Sequence, residues 1–364
     1  MQQPVLTPCP DRRTARWAAL AFGAAALAVP ALAAAATCSA SKDLFLNPFN
    51  AESAHHRPIG TGARYAPDDH PATRDWQQAA HFNVNAGTPW GTSVAATTAD
   101  DPMVTVEPQA YCDKVVDVPV TLRLPAAGFA TRVKANHSGC PDGVVVIYDR
   151  TTETPHQLRQ YDWNGGKPTA GQYRTWDIKG LGHGTRDGER IGTSASGVAG
   201  LFGVLRGHEI NTRGYKIEHA LRMGLPRKPG ADCKVMLSND VVLPATGRDR
   251  SAKEAANNVG NIPYGGLLAL PPGVDLEGLG LSEPGQRLAE AIRDYGIYVG
   301  DGGGCNAGAI EADQEVDEGI RKQLREDIRK FYPLIRLVLN NDVLGSAVAG
   351  GGEPLAPNCA FDAS

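Results

Sequence analysis

Alternation of apolar and polar residues marks the first strong element along the chain. In the run VVDVPVTLRLP, residues 115–125, valine or leucine occupies every even position from Val116 to Leu124. Side chains that alternate in this way line opposite faces of a strand, so the run predicts a half-buried strand. Pro119 lacks an N–H donor and therefore predicts an edge position or a bulge.

Further strands are predicted from shorter apolar runs that turn residues bound. The run GVVVIYDR, residues 143–150, is apolar on both alternating faces and predicts a fully buried strand. A short turn joins it to 156–164, so these two runs predict a hairpin. All the further predicted strands are 143–150, 156–164, 173–181, 215–223, 234–238 and 265–273.

Helical periodicity is confined to the later part of the chain. The segment 282–296 has Ser282 as a candidate N-cap and a glycine as its stop signal. In 313–341, apolar residues recur every four positions among charges, which predicts an amphipathic helix that Pro333 kinks or ends. The small-residue stretch 193–210 fits either a short helix or a glycine-rich loop.

These elements predict a mainly β protein, a β-sandwich of the jelly-roll kind with a few helices, including a C-terminal helical segment. The same pattern divides the chain into four predicted segments. Residues 1–36 are predicted to be a signal peptide and 37–110 an irregular N-terminal part of the domain. Residues 111–305 are predicted to form the β-sandwich core with one or two helices, and 306–364 a C-terminal helical extension.

The N-terminus has the three regions of a secretory signal peptide. Arg12, Arg13 and Arg16 precede the apolar stretch 17–33, and small residues follow up to a cleavage site near Ala36. A membrane anchor is the alternative, but the stretch is short, alanine-rich and broken by a proline. We therefore predict a protein that is secreted or periplasmic after cleavage and has no membrane span. Export by the general or the twin-arginine route stays open.

Six cysteines remain after cleavage, and an even number predicts disulfides in an exported chain. The sequence does not rank the possible pairings. No two of these cysteines form a C-x-x-C pair, so a zinc site built from cysteine is not expected. We also predict no other metal site and no cofactor. The six are Cys38, Cys112, Cys140, Cys233, Cys305 and Cys359.

The charge balance and the missing motifs disfavour several classes of protein. The chain carries 36 Lys and Arg against 40 Asp and Glu, a formal net charge of −4. A slightly acidic chain does not favour nucleic acid as a partner. The sequence also lacks a G-x-S-x-G nucleophile elbow, a P-loop and an H-E-x-x-H zinc motif. It makes no prediction about oligomeric state.

The stretch YKIEHALRM, residues 215–223, provides the first candidate catalytic group. In a regular strand His219 shares a face with Ile217, whereas Glu218 and Arg222 share the other face. A histidine in a cleft can act as a general base or acid, because its ordinary pKa lies near neutrality. The alternative is a buried histidine that hydrogen-bonds to a carbonyl or a carboxylate.

Carboxylates, arginines and aromatic rings on neighbouring strands provide the other candidates. Asp142 and Asp149 bracket the run 143–150 and are candidate catalytic carboxylates, with Tyr161 as a candidate acid. Turn chemistry and core packing are the alternatives. The candidate substrate-binding residues are three aromatic rings, two arginines and a loop histidine: Tyr148, Trp163, Trp176, Arg159, Arg222 and His183.

Six ordered blocks resemble a group of uncharacterised exported bacterial proteins. The resemblance covers about half of the chain and implies a shared fold, but no particular reaction. The chain departs from the group's pattern at Val144, where a histidine is expected two residues after Asp142. In the last block, Asp301 either caps a glycine-rich turn or faces a ligand. The blocks are DGVVVIYD (142–149), LRQYDWN (158–164), TSASGVAGLFGVLRGHEI (193–210), RGYKIEHALR (213–222), LLALPPGVDLEGLGL (267–281) and IRDYGIYVGDGGG (292–304).

The leading hypothesis is an exported carbohydrate-active enzyme, a polysaccharide lyase or a glycosidase, that binds a polysaccharide or oligosaccharide in a groove of the β-sandwich. In a lyase, His219 would be the base, Tyr161 or Tyr148 the acid, and Arg222 or Arg159 the group that neutralises the sugar carboxylate. One alternative is a non-catalytic glycan-binding or cell-envelope protein. Another is a secreted factor that acts on a protein partner.

Overall fold

A computed structural model shows that strands form most of the regular structure. The predicted mainly β class, with few helices and a helix near the C-terminus, is confirmed. Among the described residues, no helix is both long and apolar enough to cross a membrane. The structure describes residues 38–39, 41–78, 82–86, 90–109, 115–125, 142–164, 167–226, 234–249, 252–303, 308–341 and 346–362.

The α-helices within these ranges are α1 (Pro71–Gln77), α2 (Gly207–Asn211), α3 (Ala252–Asn257), α4 (Glu283–Asp294) and α5 (Glu318–Phe331). Two short 3₁₀ helices cover Glu277–Leu279 and Tyr332–Leu334. The strands are β1 (Phe82–Asn85), β2 (Thr92–Thr97), β3 (Met103–Pro108), β4 (Val120–Arg123), β5 (Val144–Asp149), β6 (Thr154–Arg159), β7 (Asp162–Asn164), β8 (Lys167–Ala170), β9 (Gln172–Thr175), β10 (Thr185–Arg186), β11 (Glu189–Arg190), β12 (Leu221–Leu225), β13 (Val235–Val241), β14 (Asn258–Tyr264), β15 (Leu267–Ala269), β16 (Ile297–Gly302), β17 (Gly308–Glu311) and β18 (Arg336–Leu337).

Six strands form the central sheet, in the order β1-β17-β12-β16-β15-β18. Met223 and Val299 on one face share a first core with Leu288 of α4 and Ile328 of α5. The opposite face carries Tyr298 and packs against a second core. Both faces of the sheet are therefore covered, which accounts for its continuously apolar central strands.

Strand β5 joins this region to the remaining large sheets. It lies inside the sheet β2-β5-β6-β9, and its alternating side chains face two different cores. Val146 and Tyr148 belong to the second core, whereas Val145 and Ile147 belong to a third core. The sheet β4-β3-β8-β7 contributes to this third core. The run VVVIY is thus buried on both faces, as its sequence predicts.

The strand pairing differs from that of a jelly roll. The pairs β1–β17, β12–β16, β2–β5 and β3–β8 are parallel, whereas a jelly roll consists of antiparallel strands. The hairpin predicted between 143–150 and 156–164 is present, because β5 pairs antiparallel with β6. The mainly β class is therefore confirmed, but the jelly-roll arrangement is not.

Both predicted long helices are present and end where the sequence predicts. Helix α4 follows Ser282, whose Oγ accepts a hydrogen bond from the Gly285 N–H at 3.3 Å, and Gly296 follows it with a left-handed φ of 81°. Helix α5 ends at Phe331, just before Pro333. The ambiguous stretch 193–210 is mostly turns and contributes only the start of α2.

Five predicted strands are clearly shorter in the structure than in the sequence pattern. The runs 173–181 and 265–273 are reduced to β9, which ends at Thr175, and to the three residues of β15. The run 115–125 contains only the four residues of β4. The run 156–164 divides into β6 and β7 in different sheets, because Gln160 adopts a φ of 57° between them. In the stretch 215–223 the strand begins only at Leu221, so the alternation predicted around His219 does not hold.

Two predicted segment descriptions also need correction. Residues 37–110 are not irregular throughout, since they contain α1 and the strands β1, β2 and β3. Residues 306–364 are not a separate extension, because β17 lies between β1 and β12 in the central sheet. The chain after residue 346 returns to the N-terminal part, where the Gly60 N–H donates to the Ala349 carbonyl at 2.9 Å.

A disulfide between Cys38 and Cys359 joins the two ends of the described chain. This finding confirms a disulfide for one of the possible pairs. The other four cysteines that follow the predicted cleavage site lie outside the described residues. Two hydrogen bonds accompany the disulfide: Asn47 Nδ2 donates to the Cys359 carbonyl and Lys42 Nζ donates to the Phe361 carbonyl, each at 2.9 Å.

Replacement of Cys38 and Cys359 by serine should lower the free energy of unfolding by about 2–4 kcal/mol, because the bond joins residues 321 positions apart and restricts the unfolded chain. Denaturant titration of the double variant against the wild type measures the loss. Cys359→Ser alone is the control and should lose a similar amount, since either change breaks the bond. A wild-type midpoint in both variants would contradict the assignment.

Candidate functional site

A cleft opens between the central sheet and the sheet β2-β5-β6-β9. Strands β2, β5 and β6 contribute one wall, and β12, β16 and β17 contribute the other. The turn at Thr193 and Ser194 closes one side, and Trp90, whose side chain is 44% exposed, lies at the rim. Side chains from several distant segments of the chain therefore meet in one concave site.

Three carboxyl groups line the cleft: Asp142, Asp301 and Glu311. Asp301 is held from two sides, because its Oδ1 accepts from the Gly302 N–H at 2.7 Å and its Oδ2 from the Ala195 N–H at 3.3 Å. Burial raises the pKa of Asp301 well above its usual range, and the nearby carboxylates Asp249 and Asp142 raise it further. The two amide hydrogen bonds oppose this rise without cancelling it.

The Glu311 carboxyl is the second group in the cleft whose pKa is raised. Burial raises the pKa of Glu311 to about 7; the positive charge of Arg222 opposes the rise, and Asp142 adds to it. A carboxyl with a pKa near neutrality holds a proton in a large fraction of molecules at physiological pH. It can therefore donate that proton to a bound group, as a general acid does.

Asp142 is an ion-paired carboxylate in the same cleft. Its Oδ1 accepts from Arg159 Nη2 at 2.9 Å and from Arg159 Nε at 3.3 Å. Asp142 directly precedes β5, and its carbonyl accepts from the Gln160 N–H at 2.8 Å, which fixes the end of the strand beside β6. The cleft thus combines two carboxyl groups of raised pKa with one carboxylate that an arginine neutralises.

The floor of the cleft contains the guanidinium of Arg222, which is 6% exposed. Its Nη1 donates to the Ala199 carbonyl at 3.3 Å and its Nη2 to the Gly200 carbonyl at 3.5 Å. Gly300 leaves room for the side chain, since a Cβ there would lie 2.8 Å from Arg222 Cγ and Cδ.

One wall presents uncharged hydrogen-bonding groups. Gln157 is 2% exposed, and its Nε2 donates to Thr193 Oγ1 at 2.7 Å. Its Oε1 is buried and has no hydrogen-bond partner, an arrangement that costs free energy until a donor reaches it. Within the described part of the chain, no group of three or more His, Cys, Asp or Glu is arranged to hold a metal ion.

Three of the ten candidates from the sequence line this cleft: Asp142, Arg159 and Arg222. Asp149 lies at the other end of β5, about 16 Å from Val144 at the usual strand rise. It accepts from Thr151 Oγ1 at 2.6 Å and pairs with Arg123 at 3.6 Å. Its environment is therefore that of a structural turn.

The predicted aromatic groove is not present. Tyr161 is fully buried in the third core, and Trp163 packs against that core from outside. Tyr148 and Trp176 are buried in the second core. His183 is half-buried and does not line the cleft. Core packing, the alternative for these rings, accounts for the four aromatic side chains.

His219 is also a correction to the sequence-based prediction. The residue is 6% exposed and does not line the cleft. Its Nε2 lies 3.0 Å from Glu209 Oε1, and its Nδ1 lies 2.9 Å from the Ala220 carbonyl oxygen. Because both ring nitrogens face acceptors, this geometry fits a charged imidazolium that donates from each nitrogen. The ring of His55 stacks on it with centroids 4.3 Å apart.

The pKa shifts of His219, Glu209 and His55 indicate which of these buried groups are charged. Burial alone would lower the pKa of His219, but the attraction of Glu209 and the hydrogen bonds to Glu209 and Ala220 outweigh burial and raise it. Burial would raise the pKa of Glu209, but His219 outweighs burial and lowers it. Burial, followed by the charge of His219, holds the pKa of His55 well below its ordinary value. A neutral His55 therefore lies against a charged His219.

Most lining residues were not predicted as site residues, although one signal pointed to them. Gln157, Thr193, Ser194, Glu311 and Trp90 were not candidates. However, five of the six blocks that carry the family resemblance contribute to the cleft, and only 267–281 does not. These blocks are separated along the chain, and the fold brings residues from five of them to one cleft.

The pair His219–Glu209 should make stability depend on pH with a defined sign. Glu209 has a lowered pKa, so its contribution is present above its ordinary value of 4.5 and is lost as the pH falls through the lowered value. His219 has a raised pKa, so its contribution is complete below 6.5 and is lost as the pH rises through the raised value. The pair should therefore stabilise most between these two ordinary values.

Glu209→Gln should lower the free energy of unfolding at pH 6 by about 3–5 kcal/mol, because it removes one partner of a buried ion pair. At pH 9 the loss should be smaller, since His219 is then less protonated in the wild type. Denaturant titrations at both pH values measure this difference. Glu318→Gln, which breaks a surface pair with Lys322, is the control and should change little. An equal loss at both pH values would contradict the charged pair.

Comparison with known proteins supplies no assignment for this cleft. No protein-family model matches the chain, and neither a curated protein nor a solved structure matches it. The function must therefore be argued from the chemistry of the cleft.

Proposed function

We propose that this protein is an exported carbohydrate-active enzyme that cleaves glycosidic bonds in the cleft between the two sheets. The observation that carries the proposal is the presence in one polar cleft of a carboxyl of raised pKa, Glu311, and of a carboxylate that is salt-bridged to an arginine, Asp142. Glycoside hydrolysis requires an acid that protonates the leaving oxygen and a second carboxylate that acts as base or nucleophile. Here Glu311 is the acid and Asp142 the carboxylate.

The remaining residues of the cleft suit a sugar ligand. Trp90 is 44% exposed and lines the cleft, and an indole ring in that place can stack on the apolar face of a sugar. Gln157, Thr193 and Ser194 offer amide and hydroxyl groups for sugar hydroxyls. The Cys38–Cys359 disulfide agrees with an oxidising compartment, and hence with the secreted or periplasmic location that the N-terminus predicts.

Purified mature protein should release reducing ends from at least one member of a panel of neutral and acidic polysaccharides. Glu311→Gln and Asp142→Asn should each lower kcat/KM by about 10²–10⁴-fold, the usual contribution of acid–base groups. Asp149→Asn is the matched control, since it changes the carboxylate at the other end of β5 and should keep activity near the wild-type level. Unsaturated products with ultraviolet absorbance would identify a lyase instead. Binding without turnover would favour a non-catalytic glycan-binding protein.

The pH profile of the active protein provides a separate test of Glu311. A general acid acts in its protonated form, so kcat/KM should fall as the pH rises through about 7, the pKa of this carboxyl. Glu311→Gln cannot lose a proton, so the residual activity of this variant should lack this alkaline decline. If the wild-type profile has no decline, or if the variant retains it, Glu311 is not the acid.

A further inference from the structure

Arg222 is a buried cation with unusually weak partners. Its two hydrogen bonds, at 3.3 and 3.5 Å, go to backbone carbonyls, and no described carboxylate lies within ion-pair distance of it. Burial of a charge costs free energy unless the charge is paired and hydrogen-bonded. The protein alone therefore does not supply the carboxylate partner and the short hydrogen bonds that a buried guanidinium such as that of Arg222 needs.

Two other buried arginines show how the same fold satisfies this group. Arg206 pairs with Asp313 at 2.9 Å and donates to the Phe45 carbonyl at 2.7 Å. Arg287 pairs with Glu283 at 2.8 Å and donates to the Glu209 carbonyl at 2.6 Å. Both have short hydrogen bonds and a carboxylate at ion-pair distance, buried for Arg206 and exposed for Arg287. Arg222 has neither, and it differs from both because it faces the cleft.

The carboxyl groups around Arg222 do not compensate its charge fully. Glu311 and Asp301 are stabilised in their protonated forms, because burial raises the pKa of each. Asp142 forms a salt bridge with Arg159 at 2.9 Å, so its charge is already balanced by that arginine. At and slightly below neutral pH, the floor of the cleft therefore keeps excess positive charge, and an anionic group of a ligand would complete it.

We propose that the cleft binds an acidic sugar, with the carboxylate of a uronic acid residue on Arg222 and a hydroxyl of the same residue on the unpaired Oε1 of Gln157. This inference rests on the proposed function and specifies its substrate class. A planar carboxylate can accept two hydrogen bonds from one guanidinium, which gives both affinity and orientation. Gln157 Oε1 gains the donor that it lacks.

Binding of monosaccharides at pH 6 tests the carboxylate directly. D-glucuronate should bind at least tenfold more tightly than D-glucose by titration calorimetry, because the two differ only at C6, where glucuronate has a carboxylate and glucose a hydroxymethyl group. Arg222→Gln should reduce this preference to within about twofold, and Arg222→Lys should keep part of it. Arg293→Gln, a change at an arginine paired with Asp294 outside the cleft, is the matched control and should keep the full preference. Equal affinity for both sugars, or a preference that Arg222→Gln leaves unchanged, would overturn the inference.

A second measurement needs no variant and keeps the inference testable if Arg222→Gln does not fold. Polygalacturonate and its methyl ester have the same backbone, but the ester lacks the charge. The wild-type protein should bind the acid at least tenfold more tightly, and added salt should weaken that preference. Tighter binding of a sulfated glucan than of polygalacturonate would overturn the uronate in favour of a sulfate ester.

Turnover separates this inference from the proposed function. If neutral glycans are cleaved as efficiently as uronate-containing ones, the substrate class is wrong while the glycosidase proposal stands. If uronates bind through Arg222 and are not cleaved, the binding inference stands while the catalytic proposal fails. If the protein neither binds nor cleaves uronates or neutral glycans, both proposals fail.

Discussion

The burial of β5 on both faces is the constraint on which the rest of the structure depends. Val145 and Ile147 fill one core, and Val146 and Tyr148 fill another, so the strand holds adjacent layers together. A strand in this position can present polar groups only at its ends. The end at Asp142 opens into the cleft, whereas the end at Asp149 closes on its own turn. Two carboxylates that bracket one strand thus acquire different environments.

Buried charges in this fold follow two different arrangements. Arg206 with Asp313 and His219 with Glu209 are paired inside the protein at about 3 Å and need no ligand. Arg222 instead has two long hydrogen bonds to carbonyls and faces a cleft. An incompletely satisfied charge lowers stability but leaves binding energy for an anion. The paired groups therefore serve stability, and the weakly partnered group is suited to recognition.

The sequence predicted the local elements better than the way they assemble. Periodicity and capping residues located α4, α5 and β5, because these signals act within a few residues of one another. The pairing of β12 with both β16 and β17 depends on contacts between segments far apart in the chain, which no local pattern encodes. For the same reason Glu311 could not be recognised from its neighbours, since its raised pKa arises from burial and from the distant Asp142, against the opposing charge of Arg222.

The stretch 215–223 shows how this limit affects the interpretation of a site. In a regular strand, His219 and Arg222 would lie on opposite faces. However, β12 begins only at Leu221, so strand alternation does not determine where His219 points. The chain turns His219 toward Glu209 and Arg222 toward the cleft within three residues. Damage to the buried pair can therefore displace the arginine. It follows that lost activity in a His219 variant would not identify a base, unless the variant also kept its stability and the uronate preference that Arg222 provides.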